Sequence, residues 1–209
     1  MRKQRVTQQT IVFGIFVVLF IGFSLFLPGF FGADNMLTLL QNVAILGILG
    51  LGMALVVIGR GIDISMVAAL AVPPGLVLQM VQNGYSVPEA FLAAIALVLV
   101  FGLINGWLIA YAEVPSLFTT LASGIFLAGL GQVAFFQLDV VQWSPALNGL
   151  TWLGQGTLLH VPMPVIMFGL ASLVVAAFLQ QTRLGAYIYA IGDNPNGARV
   201  TGIPTRPII

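Results

Sequence analysis

Of the 209 residues, 59% are hydrophobic and 6% charged, seven Lys/Arg against six Asp/Glu, where an ordinary soluble domain carries about 25% charged residues. With a mean hydropathy of +1.08 and 24 glycines spread through apolar runs, this composition excludes a water-soluble domain and indicates an all-α, polytopic transmembrane helical bundle. Cysteine is absent, Lys3 is the only lysine and His160 the only histidine, which removes disulfides, thiolate nucleophiles, a G-x-x-x-x-G-K-[ST] nucleotide loop and H-E-x-x-H metal sites.

A bilayer core of about 30 Å takes about 20 apolar residues per helix. Cutting the chain at its charges, Pro/Gly clusters and polar runs gives six spans, at approximately 11–31, 36–58, 64–83, 90–112, 116–138 and 161–181. The first follows Arg2-Lys3-Gln4-Arg5, but its apolar stretch exceeds the 7–15 residues of a signal peptide and no small-x-small cleavage site follows, so it is read as a retained helix. Pro73-Pro74-Gly75 falls in the middle of the third. Proline removes backbone donors and clashes with the preceding turn, so this span is predicted to break into two half-helices.

With the N-terminus in the cytoplasm, residues 1–10, 59–63, 113–115 and 182–209 lie inside, and 32–35, 84–89 and 139–160 outside. All seven basic residues then fall inside: Arg2, Lys3, Arg5, Arg60, Arg183, Arg199 and Arg206. The outer loops carry Asp34, Glu89 and Asp139 with no Lys or Arg, the asymmetry that the positive-inside rule requires.

Within the spans, Gly102-Leu103-Ile104-Asn105-Gly106 forms a GxxxG, and Gly47, Gly50, Gly52 and Ala54 crowd the second helix; such residues let helices pack closely in lipid. Gln41, Asn42, Gln79, Asn105, Gln132 and Gln137 are neutral hydrogen-bonding groups at membrane depth or near its edge. They serve either helix-to-helix bonds or a path for an uncharged, hydroxyl-rich substrate. A route between the second, third and fifth spans is expected near Gln41, Asn42, the Pro73-Pro74 break and Gln132. Asp63, in Gly59-Arg60-Gly61-Ile62-Asp63-Ile64-Ser65, is expected to cap the third helix, with Gly61 in the preceding turn and Arg60 available to pair, or else to act in transport or gating. His160 beside Pro162 reads as a solvated loop histidine.

The stretch from Thr182 to Ile203 is short, amphipathic and cytoplasmic in this topology. Asn194 can cap a helix beginning at Pro195, and Gly202 can end it, which makes a rigid two-turn knob for a partner. Thr182-Arg183-Leu184-Gly185-Ala186-Tyr187-Ile188-Tyr189-Ala190-Ile191-Gly192-Asp193-Asn194 and its continuation to Ile203 resemble T-R-x-G-R-Y-x-Y-A-I-G-x-N-x-x-A-A-R-x-S-G-I. That is the pattern of the permease subunits of bacterial ABC importers for monosaccharides, the ribose, galactose, arabinose and xylose type. Gly61-Ile62-Asp63-Ile64-Ser65 resembles their G-G-I-D-L-S, with Arg60 where the pattern has a glycine. Asn105-Gly106, Val114-Pro115 and Thr120-Leu121 resemble their N-G-x-x-x-x-x-x-x-V-P-x-F-I-x-T-L. Ala186 and Gly197 stand where the pattern has Arg and Ala.

The resemblance runs from about residue 36 to the end and implies one permease domain, 1–209, with a coupling segment at 182–207 that docks into an ATP-binding subunit. Gly192, Asn194, Pro195, Ala198, Arg199, Gly202 and Ile203 would carry that coupling, with Ala198 packing closely and Arg199 pairing with an acidic residue of the ATPase. Family members continue through several more spans, so the chain is expected to be the N-terminal portion of a longer permease. The other implied partners are a periplasmic sugar-binding protein, a second permease copy or paralogue and the lipid bilayer, in the bacterial inner membrane. No nucleic acid, metal or cofactor is expected, nor any enzymatic activity in this subunit. Two alternatives remain open: a branched-chain amino acid permease, whose zwitterionic substrate favours buried charges in the path, and a secondary transporter or channel, which normally needs titratable groups at the midplane.

Overall fold

The computed structural model describes residues 8–135 and 142–208; Arg2, Lys3, Arg5, Gln137 and Asp139 lie outside them. The chain divides into two compact units, the first running to Val43 and the second from Ala44. In the first unit, α1 (Gln8–Phe26) leads through a turn into the beginning of α2 (Ala33–Ile58). The turn is ordered locally: Phe20 packs edge-on against Phe30 and Phe31, and the Asn35 amide donates to the Phe30 carbonyl at 2.6 Å.

The second unit takes the remainder of α2, then α3 (Met66–Gln82), α4 (Val87–Ala110), α5 (Ser116–Leu130) and α7 (Met163–Gln181). A single π-turn, Gly131–Phe135, extends α5. The 142–162 connection holds a short α6 (Asn148–Gln155) and a two-residue hairpin of β1 (Thr157–Leu158) and β2 (Val161–Pro162), with Leu158 opposite Val161. His160 is exposed at the hairpin tip with a φ of 66°. After α7 come α8 (Arg183–Asp193) and α9 (Pro195–Val200).

Among the described residues five helices are long and apolar enough to cross a membrane: α1, α2, α4, α5 with its π-turn, and α7. Helices satisfy every internal backbone group, which lipid demands. The sixth expected span is α3, at 17 residues one short of that length. α4 begins at Val87, three residues before its expected start, because Ser86 and Glu89 form a capping box in which each side chain binds the other's backbone N–H.

The predicted break in α3 does not occur. Helix runs unbroken through Pro73 and Pro74, and only the carbonyls of Ala69 and Leu70 lose their i+4 donors. Packing holds the helix together across that gap: Ala68 and Val72 close on Leu127 of α5, and Val77 on Ala90 and Ala94 of α4. Small residues work unevenly. Gly124 of α5 lets Ser65 approach, since a Cβ there would lie 3.1 Å from the Ser65 Cα, and Gly47 faces the Phe168 ring. Gly50, Gly52 and the GxxxG pair Gly102 and Gly106 meet open space instead, so the close packing expected of them is not made within the described residues.

Candidate functional site

The site is built where α2 ends. Gly61 N–H bonds the Val56 carbonyl at 2.8 Å and Arg60 N–H the Val57 carbonyl at 3.0 Å, a Schellman closure with Arg60 in the left-handed position at a φ of 65°. From Gly61 to Ser65 the chain is not helical, so its donors need other acceptors. Side chains of the first turns of α5 supply them. The Ser116 hydroxyl accepts from Ile62 N–H and the Thr120 hydroxyl from Ile64 N–H, both at 3.1 Å.

Asp63 was expected at the N-cap of α3, but Ser65 occupies that position. Asp63 lies two residues earlier and its Oδ1 accepts from both the Ser65 N–H at 2.8 Å and the Ser65 hydroxyl at 2.5 Å. This is an Asx turn that fixes the entry to the helix. With its hydrogen committed to Asp63, Ser65 Oγ can only accept from Asn105, whose Nδ2 lies at 3.3 Å. The bond therefore sets the orientation of the amide and leaves Asn105 Oδ1 buried without a partner. Arg60 does not pair with Asp63. Its Nε donates to the Gly192 carbonyl at 2.6 Å and its Nη2 to the Asp193 carbonyl at 3.0 Å.

These groups border a cavity of about 350 Å³, within the size range of small-molecule sites. Its polar wall is Asp63, Ser65, Asn105, Ser116 and Thr120; Ile188 and Ile191 of α8 and Ile208 line it as well. Among the described residues, no Arg, Lys or His lines it.

Below the cavity the terminal segment folds as its residue types direct. Asn194 Oδ1 accepts from Gly197 N–H at 3.0 Å, Pro195 takes the first helical position, and Gly202, at a φ of 85°, closes α9 with Ile203 N–H on the Ala198 carbonyl at 3.0 Å. Gly192 is obligatory in a different way, because a Cβ there would collide with the Ile58 carbonyl oxygen at the end of α2. Ala198 is 5% exposed, so it packs into this chain and is not free to fill a partner's groove. The exposed side of α9 carries Asn196, Arg199 and Val200, the last 88% exposed. Among the described residues Arg199 makes no hydrogen bond or ion pair, whereas Arg206 pairs with Glu113 of the α4–α5 connection at 2.9 Å.

The residues predicted for a path are not all brought together. Asp63 and Asn105 share the cavity just described. Pro73 and Pro74 instead line a separate, apolar cavity of about 580 Å³ with Phe91, Trp143 and Leu147. Gln132 is exposed on the π-turn, and Gln41 and Asn42, half-buried and exposed, belong to the first unit. Gln79 donates to the Ala134 carbonyl at 3.0 Å, a helix-to-helix bond. Sequence reasoning missed Ser65, Ser116 and Thr120. The available signal was the pair of hydroxyls at i and i+4 directly after Val114-Pro115, which places both on one face at the start of a helix.

Residues 35–209 match the family described as branched-chain amino acid transport system / permease component. The ribose import permease of Escherichia coli K12 is 32% identical over 188 residues, 87% of this chain and 57% of the relative. The galactofuranose transporter permease of the same strain is 32% identical over 171 residues, 82% of this chain and 49% of the relative. The xylose transport system permease of Haemophilus influenzae is 27% identical over an alignment of 233 positions, 83% of this chain and 62% of the relative. The chain thus spans about half to three fifths of the length of these curated relatives. No solved structure matches it.

Proposed function

Because the chain belongs to the family of branched-chain amino acid transport system permease components, we propose that it is the membrane subunit of an ATP-driven importer for a monosaccharide or similar polyol. ATP is hydrolysed in a separate cytoplasmic subunit docked at α9, and a periplasmic binding protein delivers the substrate. The subunit works beside a second permease copy or paralogue in the bacterial inner membrane, with its N-terminus in the cytoplasm.

The cavity chemistry carries this reading. Hydroxyls and an amide form most of its polar wall, and among the described residues Asp63 is the one carboxylate and no cation lines it. A polyol finds donors and acceptors of its own kind there, whereas the carboxylate of an amino acid finds no cation among the described lining residues. The relatives named for ribose, galactofuranose and xylose support the same substrate class.

The test is to purify the assembly and measure ATP hydrolysis as its binding protein is loaded in turn with aldoses, polyols and branched-chain amino acids. Stimulation by one or more sugars is expected. Stimulation by leucine, isoleucine or valine alone would replace the sugar reading with the amino-acid one.

A further inference from the structure

We propose, resting on the reading above, that Arg60 is the positioning residue through which displacement of α9 reaches the cavity. Its guanidinium holds the last two carbonyls of α8, Gly192 and Asp193, at 2.6 and 3.0 Å. Carbonyls at a helix C-terminus lack intrahelical donors and form the negative end of the helix dipole, so a planar cationic fork suits them well. The backbones also touch at this point, since Gly192 packs against the Ile58 carbonyl so closely that no side chain fits.

The grip joins two segments with different tasks. Toward the C-terminus, Asp193 is followed by Asn194, the cap of α9. On the other side of Arg60, the 61–65 loop places Asp63 and Ser65 in the cavity wall, and Ile188 and Ile191 of the gripped helix border the same space. A pull on α9 therefore acts on Asp193 and, through Arg60, on the loop that shapes the cavity. Position 60 is also an awkward place for an arginine. It occupies the left-handed position of a Schellman closure, which Gly202 fills in the identical closure after α9. The strain is offset by what the side chain holds.

The distinguishing variant is Arg60→Gly, because glycine relieves the left-handed strain while removing the grip. In the assembled transporter, reconstituted into lipid vesicles, substrate uptake per ATP hydrolysed is measured beside the melting temperature and the amount of bound ATPase. R60G is expected to melt no lower than wild type and to lose coupling by about tenfold or more, within the usual range for communication between sites. R60K, with a point charge in place of the fork, should fall between the two. Loss of ATPase from a folded R60G chain would also support the proposal, since α9 would have lost its seat. Wild-type coupling in R60G overturns it, as does an R60G chain that fails to fold, which would make the contact structural only. An unaltered chain that neither binds an ATPase nor moves substrate would overturn the functional reading and this inference with it.

Discussion

Thr120 is 2% exposed, and its hydroxyl joins two stretches of chain, accepting from Ile64 N–H at 3.1 Å and donating to the Ser116 carbonyl at 2.8 Å. Thr120→Val keeps the shape and leaves the Ile64 donor without an acceptor, at a cost of about 1–3 kcal/mol. In detergent its melting temperature should drop by roughly 2–10 °C, given the size of the chain, while Thr120→Ser should stay near wild type. Equal melting of the Val variant would show that the hydroxyl does not hold the loop. Residues of this kind are poorly legible in sequence because their partners lie more than fifty positions away. Asn194 is readable because its partner, Gly197, is three residues on and the bond is local. Asp63 falls between: its role as a local acceptor could be read, but not that Ser65 would take the cap and Arg60 another helix.

Among elements, α3 and α9 show what local rules decide and what packing decides. The proline rule called for a break in α3, yet two lost hydrogen bonds are outweighed by an interior face that packs along α4 and α5. α9 follows its cap signals, but its packing does not follow from them: Ala198 is buried in this chain, and Arg199 and Val200 are the side chains left exposed for the docking proposed above. Ala198→Trp should therefore disturb the fold of the chain itself and lower its melting temperature. Val200→Asp, on an 88% exposed side chain, should leave melting unchanged and reduce co-purification of the ATPase by about tenfold, the effect of losing roughly 1.4 kcal/mol of contact. Full retention of the ATPase by V200D would place the contact elsewhere.

For the molecule as a whole, the all-α, membrane-spanning character was the most legible feature, because long apolar runs with few charges declare it. Arg60 and Arg206, which lie far apart in the sequence, bind the end of α8 and the α4–α5 connection of the second unit. The apolar faces of the helices are exposed, Leu103 and Val174 at 73% and 67%, as a surrounding lipid phase requires. How the helices close around a cavity was not legible, because spans so uniformly apolar do not mark which face turns inward. If the 182–207 segment passes movement from a cytoplasmic ATPase to the cavity, as proposed above, α9 must face the cytoplasm. Because the chain has no cysteine, a single thiol introduced at Asn83, Gln142 or Asn196 reports its own side of the membrane. In intact cells an impermeant thiol reagent should label positions 83 and 142 and leave 196 unlabelled until the membrane is opened; labelling at 196 with none at 142 would put α9 on the outer face, out of reach of a cytoplasmic ATPase.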